Sequence, residues 1–287
     1  MSQWQPDFAK ACEKKQVRQL MQRVFGDDDV FCHSLFHYFP IPRHLLVIRQ
    51  DEDIVSMAFV MPAVFHFPGH GDVAATYLYA CATAPEFRGQ GLMRTLLEKA
   101  YNLACQRGEA GIFLLPASPA LYLFYENLGF QYFFYHDEYE YLQPVNRHKE
   151  EHSRDYSIVP LSGSEYARVR DRWLSERVSV FYPLRHYAFM QAVYASRGDT
   201  PFYRVLLKEK EIGIMTMYRR RMSLNVLEWL GHDIDKEQWC AELCRIYQVP
   251  GVFVQMPGSQ KATALFRQNP AFVLPNKEKG YFAFALD

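Results

Sequence analysis

The chain has 287 residues, 49% of them hydrophobic, with 32 basic and 32 acidic side chains and a formal net charge of zero. That is ordinary globular composition with room for about two domains. The neutral balance gives no broad electrostatic footprint for nucleic acid or an anionic membrane, so neither is expected as a partner. Residues 1–10 hold no apolar signal core, and no apolar run approaches the ~20 residues of a membrane helix. The six cysteines (Cys12, Cys32, Cys81, Cys105, Cys240 and Cys244) include no CxxC pair. Cys81 and Cys105 fall on apolar stretches and read as buried free thiols of a reducing compartment, so a cytoplasmic location is expected.

In chain order, Val17, Leu20, Met21 and Val24 form a helical stripe that stops at Gly26. Asp29 is placed to cap a second helix carrying Val30, Leu35 and Tyr38. Residues 45–48 and 54–61 read as a hairpin around Gln50-Asp51-Glu52-Asp53, and residues 76–83 as a further apolar strand. A helix over about 91–107 buries Leu92, Leu96, Ala100, Leu103 and Ala104. Residues 112–115 form a short strand, 119–128 a helix ending at Gly129, and 131–142 an aromatic strand or hairpin. The sum is a mixed sheet with helices on its faces. The charged run from Arg147 to Asp155, after Pro144, cannot pack in a core. It sets a boundary near residue 148 between domains spanning 1–148 and 149–287.

The chain repeats itself at roughly 140 to 160 residues. Gly111-Ile112-Phe113-Leu114 with Pro116-Ala117-Ser118 is echoed by Gly251-Val252-Phe253-Val254 with Pro257-Gly258-Ser259. Phe124-Tyr125-Glu126-Asn127-Leu128-Gly129-Phe130 is echoed by Phe266-Arg267-Gln268-Asn269-Pro270-Ala271-Phe272. The hairpin at 46–57 resembles 205–215, with residues 208–211 as its charged turn. Three echoes in one order favour two tandem copies of one architecture.

The most informative segment joins the strand at Cys81-Ala82-Thr83 to the helix through Arg88-Gly89-Gln90-Gly91-Leu92-Met93. A helix start offers unpaired N–H groups and the positive end of the dipole. Glycines let the backbone approach a bound group, and consecutive N–H groups form a nest for phosphate oxygens, with Arg88 as a cation at the rim. The plain alternative is a tight turn with a solvated arginine.

This segment resembles the acetyl-CoA loop of the GNAT superfamily, (R/Q)-x-x-G-x-(G/A) after a strand, with Met93 standing where the family usually has Gly or Ala. Phe124-Tyr125-Glu126-Asn127-Leu128-Gly129-Phe130 matches the family's late-helix phrase F-Y-E-x-x-G-F, and Ser118 lies where many members have Asn. The resemblance covers about residues 10 to 143. The tandem arrangement, with Leu92-Met93-Arg94 and Pro116-Ala117-Ser118, is similar to the enhanced-intracellular-survival type of tandem-GNAT acetyltransferases. Members of that type often carry a further C-terminal domain, for which 287 residues leave no room.

The resemblance implies an α+β fold of two tandem GNAT-like domains, each a mixed, mainly antiparallel sheet flanked by helices. It implies an acyltransferase that moves an acetyl group from acetyl-CoA to a primary amine of a small molecule or peptide, without a metal. Cofactor contacts fall on Cys81, Ala82, Thr83, Arg88, Gly89, Gln90, Gly91, Leu92, Met93 and Ser118. Tyr125 falls where the family has its general acid; by residue pattern alone it is a core aromatic. Glu86, Tyr79, His70 and the Asp287 terminus are open as the base. His33 with His37, and Cys240 with Cys244, have i, i+4 spacing but no third ligand, and Asp27-Asp28-Asp29 reads as a capping turn.

The second copy has Gly231-His232-Asp233-Ile234-Asp235-Lys236 in place of the loop, and Arg267 in place of Tyr125. It is expected to be degenerate and to shape the acceptor cleft. Two other readings are a non-catalytic acyl-CoA-binding regulatory module and a tandem-GNAT aminoacyl transferase. The second would need a basic groove for RNA.

Overall fold

The computed structural model describes residues 4–144, 156–275 and 279–282. In the first half the elements run β1 (Asp7–Phe8), α1 (Lys14–Phe25), α2 (Asp29–Tyr38), α3 (Ile41–His44), β2 (Leu45–Gln50), β3 (Asp53–Phe67) and β4 (Gly71–Thr83). They continue with α4 (Leu92–Gln106), β5 (Gly111–Leu114), α5 (Pro119–Glu126), β6 (Gln131–Tyr132) and β7 (Phe134–Leu142). The second half runs β8 (Tyr156–Pro160), α6 (Gly163–Leu174), β9 (Ser179–Phe181), α7 (Leu184–Ala195), β10 (Phe202–Leu207), β11 (Lys210–Arg219) and β12 (Leu224–Gly231). It ends with α8 (Lys236–Tyr247), β13 (Gly251–Pro257), β14 (Lys261–Ala262), β15 (Leu265–Gln268) and β16 (Gly280–Tyr281). Helices precede an antiparallel run in each half, α1 to α3 before β2-β3-β4 and α6 and α7 before β10-β11-β12, and a helix then crosses to a parallel strand, β5 or β13. The expected architecture, a mixed sheet flanked by helices in tandem copies, is what the chain adopts.

Local chemistry fixes most elements where the sequence places them. Helix α1 buries Val17, Leu20 and Met21 and ends at Gly26, whose φ of 77° suits a residue without Cβ. The β2–β3 turn falls at Asp51, φ 53°. Helix α2 is capped one residue earlier than expected: the Asp28 carboxylate accepts from the Phe31 amide, and Asp29 is the first helical residue. The third antiparallel strand starts at Gly71, so β3 and β4 form one long hairpin. Pro62 sits within β3, between the stretch paired with β2, which ends at Phe59, and the stretch paired with β9, which starts at Val64. A proline is tolerated there because that edge carries no ladder.

The halves exchange strands. β7 pairs antiparallel with β13 of the second half, Gly251 opposite Leu142 through Pro257 opposite His136. β15 pairs antiparallel with β5 of the first, Leu265 opposite Leu114 through Gln268 opposite Gly111. This overturns one echo: residues 266–268 lie in a strand of the first half's sheet, not in a helix matching α5. Arg267 therefore does not occupy the place of Tyr125. Its guanidinium grips Glu98 of α4 with contacts of 2.8 and 3.1 Å and lies 3.8 Å from the centre of the Tyr101 ring. Gly111 admits the exchanged strand, since a Cβ there would sit 2.2 Å from the Arg267 carbonyl oxygen. Phe65, Phe113, Phe134, Phe266 and Phe282 are all buried, and their rings meet where the halves interlock. Aromatic rings carry a large apolar area, and here they fill the seam.

In the second half, Arg170 of α6 and Glu228 of β12 form an ion pair at 2.9 Å with both side chains fully buried. Tyr166 donates to Glu228 at 2.7 Å, and Arg170 donates to the Val180 carbonyl at 2.8 Å. The run from Arg147 to Asp155 and the boundary near 148 lie largely or wholly in residues 145–155, outside the described residues, as does Asp287. The last described strand is Gly280–Tyr281. No helix among the described residues is long and apolar enough to cross a membrane.

Removing one partner of a buried ion pair strands the other charge. We predict that Glu228→Gln, nearly the same shape, destabilises the fold by about 3–5 kcal/mol, the typical cost of leaving a buried charge unpaired. Urea denaturation of the two proteins checks this; a midpoint unchanged within error would contradict it.

Candidate active site

Strands β4 and β5 pair in parallel only at Thr76–Ile112 and Tyr77–Phe113. β4 then runs on to Thr83, so the strands part and leave a wedge between them. A bulge sits in the diverging stretch: Phe59 pairs with Tyr79 but Met57 with Ala82, and Ala80 takes a φ of 48°. The extra residue re-aims the side chains. Tyr79 and Ala82 pack into the core toward the second half, while Leu78 and Cys81 pack with α4 and α5.

The strand leads into a short turn at Pro85–Phe87 and then the expected loop. Gly89 and Gly91 have φ of 77° and 81°, and a Cβ on either would meet nothing within 4 Å. Their positions face open space, so glycine is required by backbone conformation and leaves room above the loop. Gly91 is the N-cap of α4, and among the described residues no side chain caps that helix. Its first N–H groups lack intrahelical acceptors by geometry. Leu92, 1% exposed, anchors the loop in the core. Met93 is half-buried and Gln90 exposed. Arg88 is exposed, and its Nε donates to the Thr83 carbonyl at 3.2 Å, drawing the guanidinium back across the strand end. Arg94, in the first turn of α4, is a second exposed cation beside the loop. Its place in the sequence motif gave no sign of that role.

Tyr125 is buried, 7% exposed, near the C-terminal end of α5. Its ring meets Phe124 and Phe130 edge-on at 5.1 and 5.7 Å. It belongs to the same apolar cluster that Cys81 packs against. Burial, and then the neighbouring Cys81 thiol, push the phenol well above its ordinary pKa, so it is a proton donor at neutral pH. Burial pushes the Cys81 thiol up to about 12. Ser118 is the N-cap of α5 and exposed, and its side chain makes no capping hydrogen bond.

The open base candidates separate. Glu86 is exposed and paired with Arg23 at 2.8 Å, which lowers its pKa. His70 is in the β3–β4 turn, at the opposite end of β4 from the loop. Tyr79 is at the bulge itself. His33 and His37 are exposed on α2, and among the described residues no group of three or more His, Cys, Asp or Glu is placed to hold a metal ion. The described cysteines are all free; Cys32, Cys240 and Cys244 are buried, whereas Cys81 and Cys105, expected to be buried, are half-buried.

The wedge, the bulge and the open helix start together make a cleft with a free strand edge beside an uncapped helix N-terminus. Residues 6–133 match the family described as acetyltransferase (GNAT) domain. The chain carries a GNAT acetyltransferase domain and is of the acyltransferase class. No curated protein matches it. Among solved structures it is similar to a probable N-acyltransferase of unknown function from Enterococcus faecalis, with a TM-score of 0.69, 17% identity, and coverage of 92% of this chain and 72% of that one. It is similar to Eis1 from Mycobacterium abscessus, with a TM-score of 0.65, 13% identity, and coverage of 93% and 74%. A tandem GNAT protein from the clavulanic acid biosynthesis pathway aligns with a TM-score of 0.52 and 12% identity over 92% of this chain and 97% of that one. These likenesses show the fold, tandem copies included.

A thiol with a raised pKa is a poor nucleophile. We predict that brief treatment with iodoacetamide near neutral pH labels exposed Cys12 and spares Cys81. Peptide mass spectrometry reads this; Cys81 labelling as fast as Cys12 would refute it.

Proposed function

We propose that the protein is an N-acetyltransferase that moves an acetyl group from acetyl-CoA to a primary amine of a small molecule or peptide. One observation carries the reading: the wedge between β4 and β5 opens onto an uncapped, twice-glycine helix start, with a buried, protonated Tyr125 on its apolar wall. The residues present fit the group. Cys81, Ala82 and Thr83 would pair with the extended pantetheine arm as an added strand. The backbone from Arg88 to Met93 would hold the pyrophosphate, with Arg88 and Arg94 adding charge at the rim. The Ser118 hydroxyl would hydrogen-bond the arm.

Acetyl-CoA, when bound, supplies the thioester that the amine attacks. The protein's part is positioning and proton management. Backbone N–H groups near Ala82 donate to the carbonyl oxygen as it gains charge. The Tyr125 hydroxyl holds the proton for the departing sulfur. A free alkyl amine has a pKa near 10.4, so it must lose a proton before attack. Glu86, held low by Arg23, is a weak base for this, and His70 sits at the far end of β4. The second half walls the acceptor cleft and binds no acetyl-CoA, because Asp235 already caps α8 by accepting from the Gln238 amide at 3.0 Å.

Two predictions follow from this assignment. Calorimetry should find one CoA per chain, and Arg88→Glu should weaken that binding by tenfold or more, roughly the worth of a charge-assisted contact to phosphate. The melting temperature should hold, since Arg88 is exposed. Two equivalent sites, or unchanged affinity in the variant, would remove the loop from the reading. For Tyr125→Phe, the ring and its packing remain and only the hydroxyl goes. If that hydroxyl protonates the leaving group, kcat should fall about 100-fold or more while KM for acetyl-CoA changes little. Equal kcat in both proteins, with chemistry rate-limiting, would return Tyr125 to a packing role.

A further inference from the structure

The second half keeps the wedge without the loop. β12 and β13 pair in parallel only from Leu224–Val252 to Val226–Val254 and then part. Between their ends lies a cleft of about 360 Å³, within the range of small-molecule sites. Its interior is aromatic. Trp229 and Trp239 are nearly fully buried with rings 4.4 Å apart, and Tyr139 and Trp173 complete the wall. The Trp173 ring is held edge-on by His232 at 5.1 Å. Its Nε1 is shielded from solvent and has no hydrogen-bond partner among the described residues.

The lining also carries both charges. Arg177 and Lys236 are exposed cations; Asp233 is an exposed carboxylate. Asp137 is a second carboxylate, fixed in place because its Oδ1 accepts from the Ser259 and Gln260 amides at 3.0 Å each. Phosphate is disfavoured, because Asp235 occupies the α8 N-terminus and Asp233 stands beside it. A pure cation or a pure anion would meet like charge as well as opposite charge.

We infer that this cleft binds a small zwitterion with a flat apolar body, of which a free aromatic amino acid is the simplest member. The ring lies among the tryptophans, the ammonium meets Asp233 and Asp137, and the carboxylate meets Arg177 and Lys236. The inference stands on this cleft and does not depend on acetyl transfer in the first half.

Three of the chain's four tryptophans line the cleft, so intrinsic fluorescence of the full chain reports on it. The probes are free phenylalanine, benzylamine and phenylacetate, the last two each lacking one charge. Phenylalanine should give a saturable change, and each single-charge analogue should bind several-fold more weakly, one exposed ionic contact being worth at most roughly fivefold. Arg177→Ala should weaken phenylalanine and phenylacetate but not benzylamine; Asp233→Ala should weaken phenylalanine and benzylamine but not phenylacetate. Both side chains are exposed, and the fold does not lean on them. Saturating CoA should leave the phenylalanine titration unchanged. The inference is overturned if no saturable change or heat appears at millimolar phenylalanine. It also fails if an analogue binds as tightly, if Arg177→Ala weakens all three alike, or if CoA competes.

Discussion

The exchange of β7 for β15 is the constraint on which the rest of the molecule depends. Each half leaves one edge of its parallel strand, β5 or β13, that its own strands do not cover. An uncovered strand edge leaves a row of unpaired backbone groups. Each is covered by the other half, so the two sheets become one and the seam fills with phenylalanine rings. Arg267 extends the grip to α4, the helix whose N-terminus forms the loop, through Glu98 and Tyr101. The second half therefore braces the helix that starts the candidate cofactor site, even though it carries no such loop itself.

The wedge lies on the opposite edge of β5, the one that faces β4. Parallel pairing between β4 and β5 stops after two residue pairs, and the Ala80 bulge turns the remaining strand so that Cys81 comes to the side of Tyr125. A positive φ at an alanine is costly, of order 1 kcal/mol or more, and persists only where the surroundings enforce it. Here the β3 ladder on both sides of the bulge enforces it, with Met57 and Phe59 paired on either side. A ligand pairing with the freed edge would satisfy backbone groups that β5 leaves open.

The local features were legible because local chemistry determines them. Val17, Leu20 and Met21 recur at helical spacing and Gly26 ends the helix; Asp51 marks the hairpin; Gly89 and Gly91 announce a backbone that L side chains resist. The cap moved from Asp29 to Asp28 because three consecutive aspartates present the same side chain and only the chain's entry angle chooses among them. The exchange was not legible. Pairing between residues 265–268 and 111–114 is set by a distant edge, and no periodicity in four residues reports it. The echo of Phe124 to Phe130 in Phe266 to Phe272 misled for a related reason. The phenylalanines that close the two echoes do not report the element before them, since Phe130 lies beyond α5 and Phe272 beyond β15, and Pro270 disfavours a helix there.

The two wedges make a comparison within one chain. Both open where parallel pairing stops short of the strand ends, after two residue pairs between β4 and β5 and three between β12 and β13. What differs is the turn that follows. Gly89 and Gly91 leave the α4 N–H groups open beside Arg88 and Arg94, whereas Asp233 and Asp235 fill the α8 start with carboxylate. An open positive helix end attracts phosphate; a self-capped one has already spent its donors. The first wedge is walled by Leu78, Leu92 and Tyr125, the second by tryptophans. Fold divergence supplies the cleft in both, and a six-residue turn determines which chemistry can enter. A ligand for the second half is therefore to be sought among molecules without phosphate, recognised through ring faces and paired charges rather than through a backbone nest.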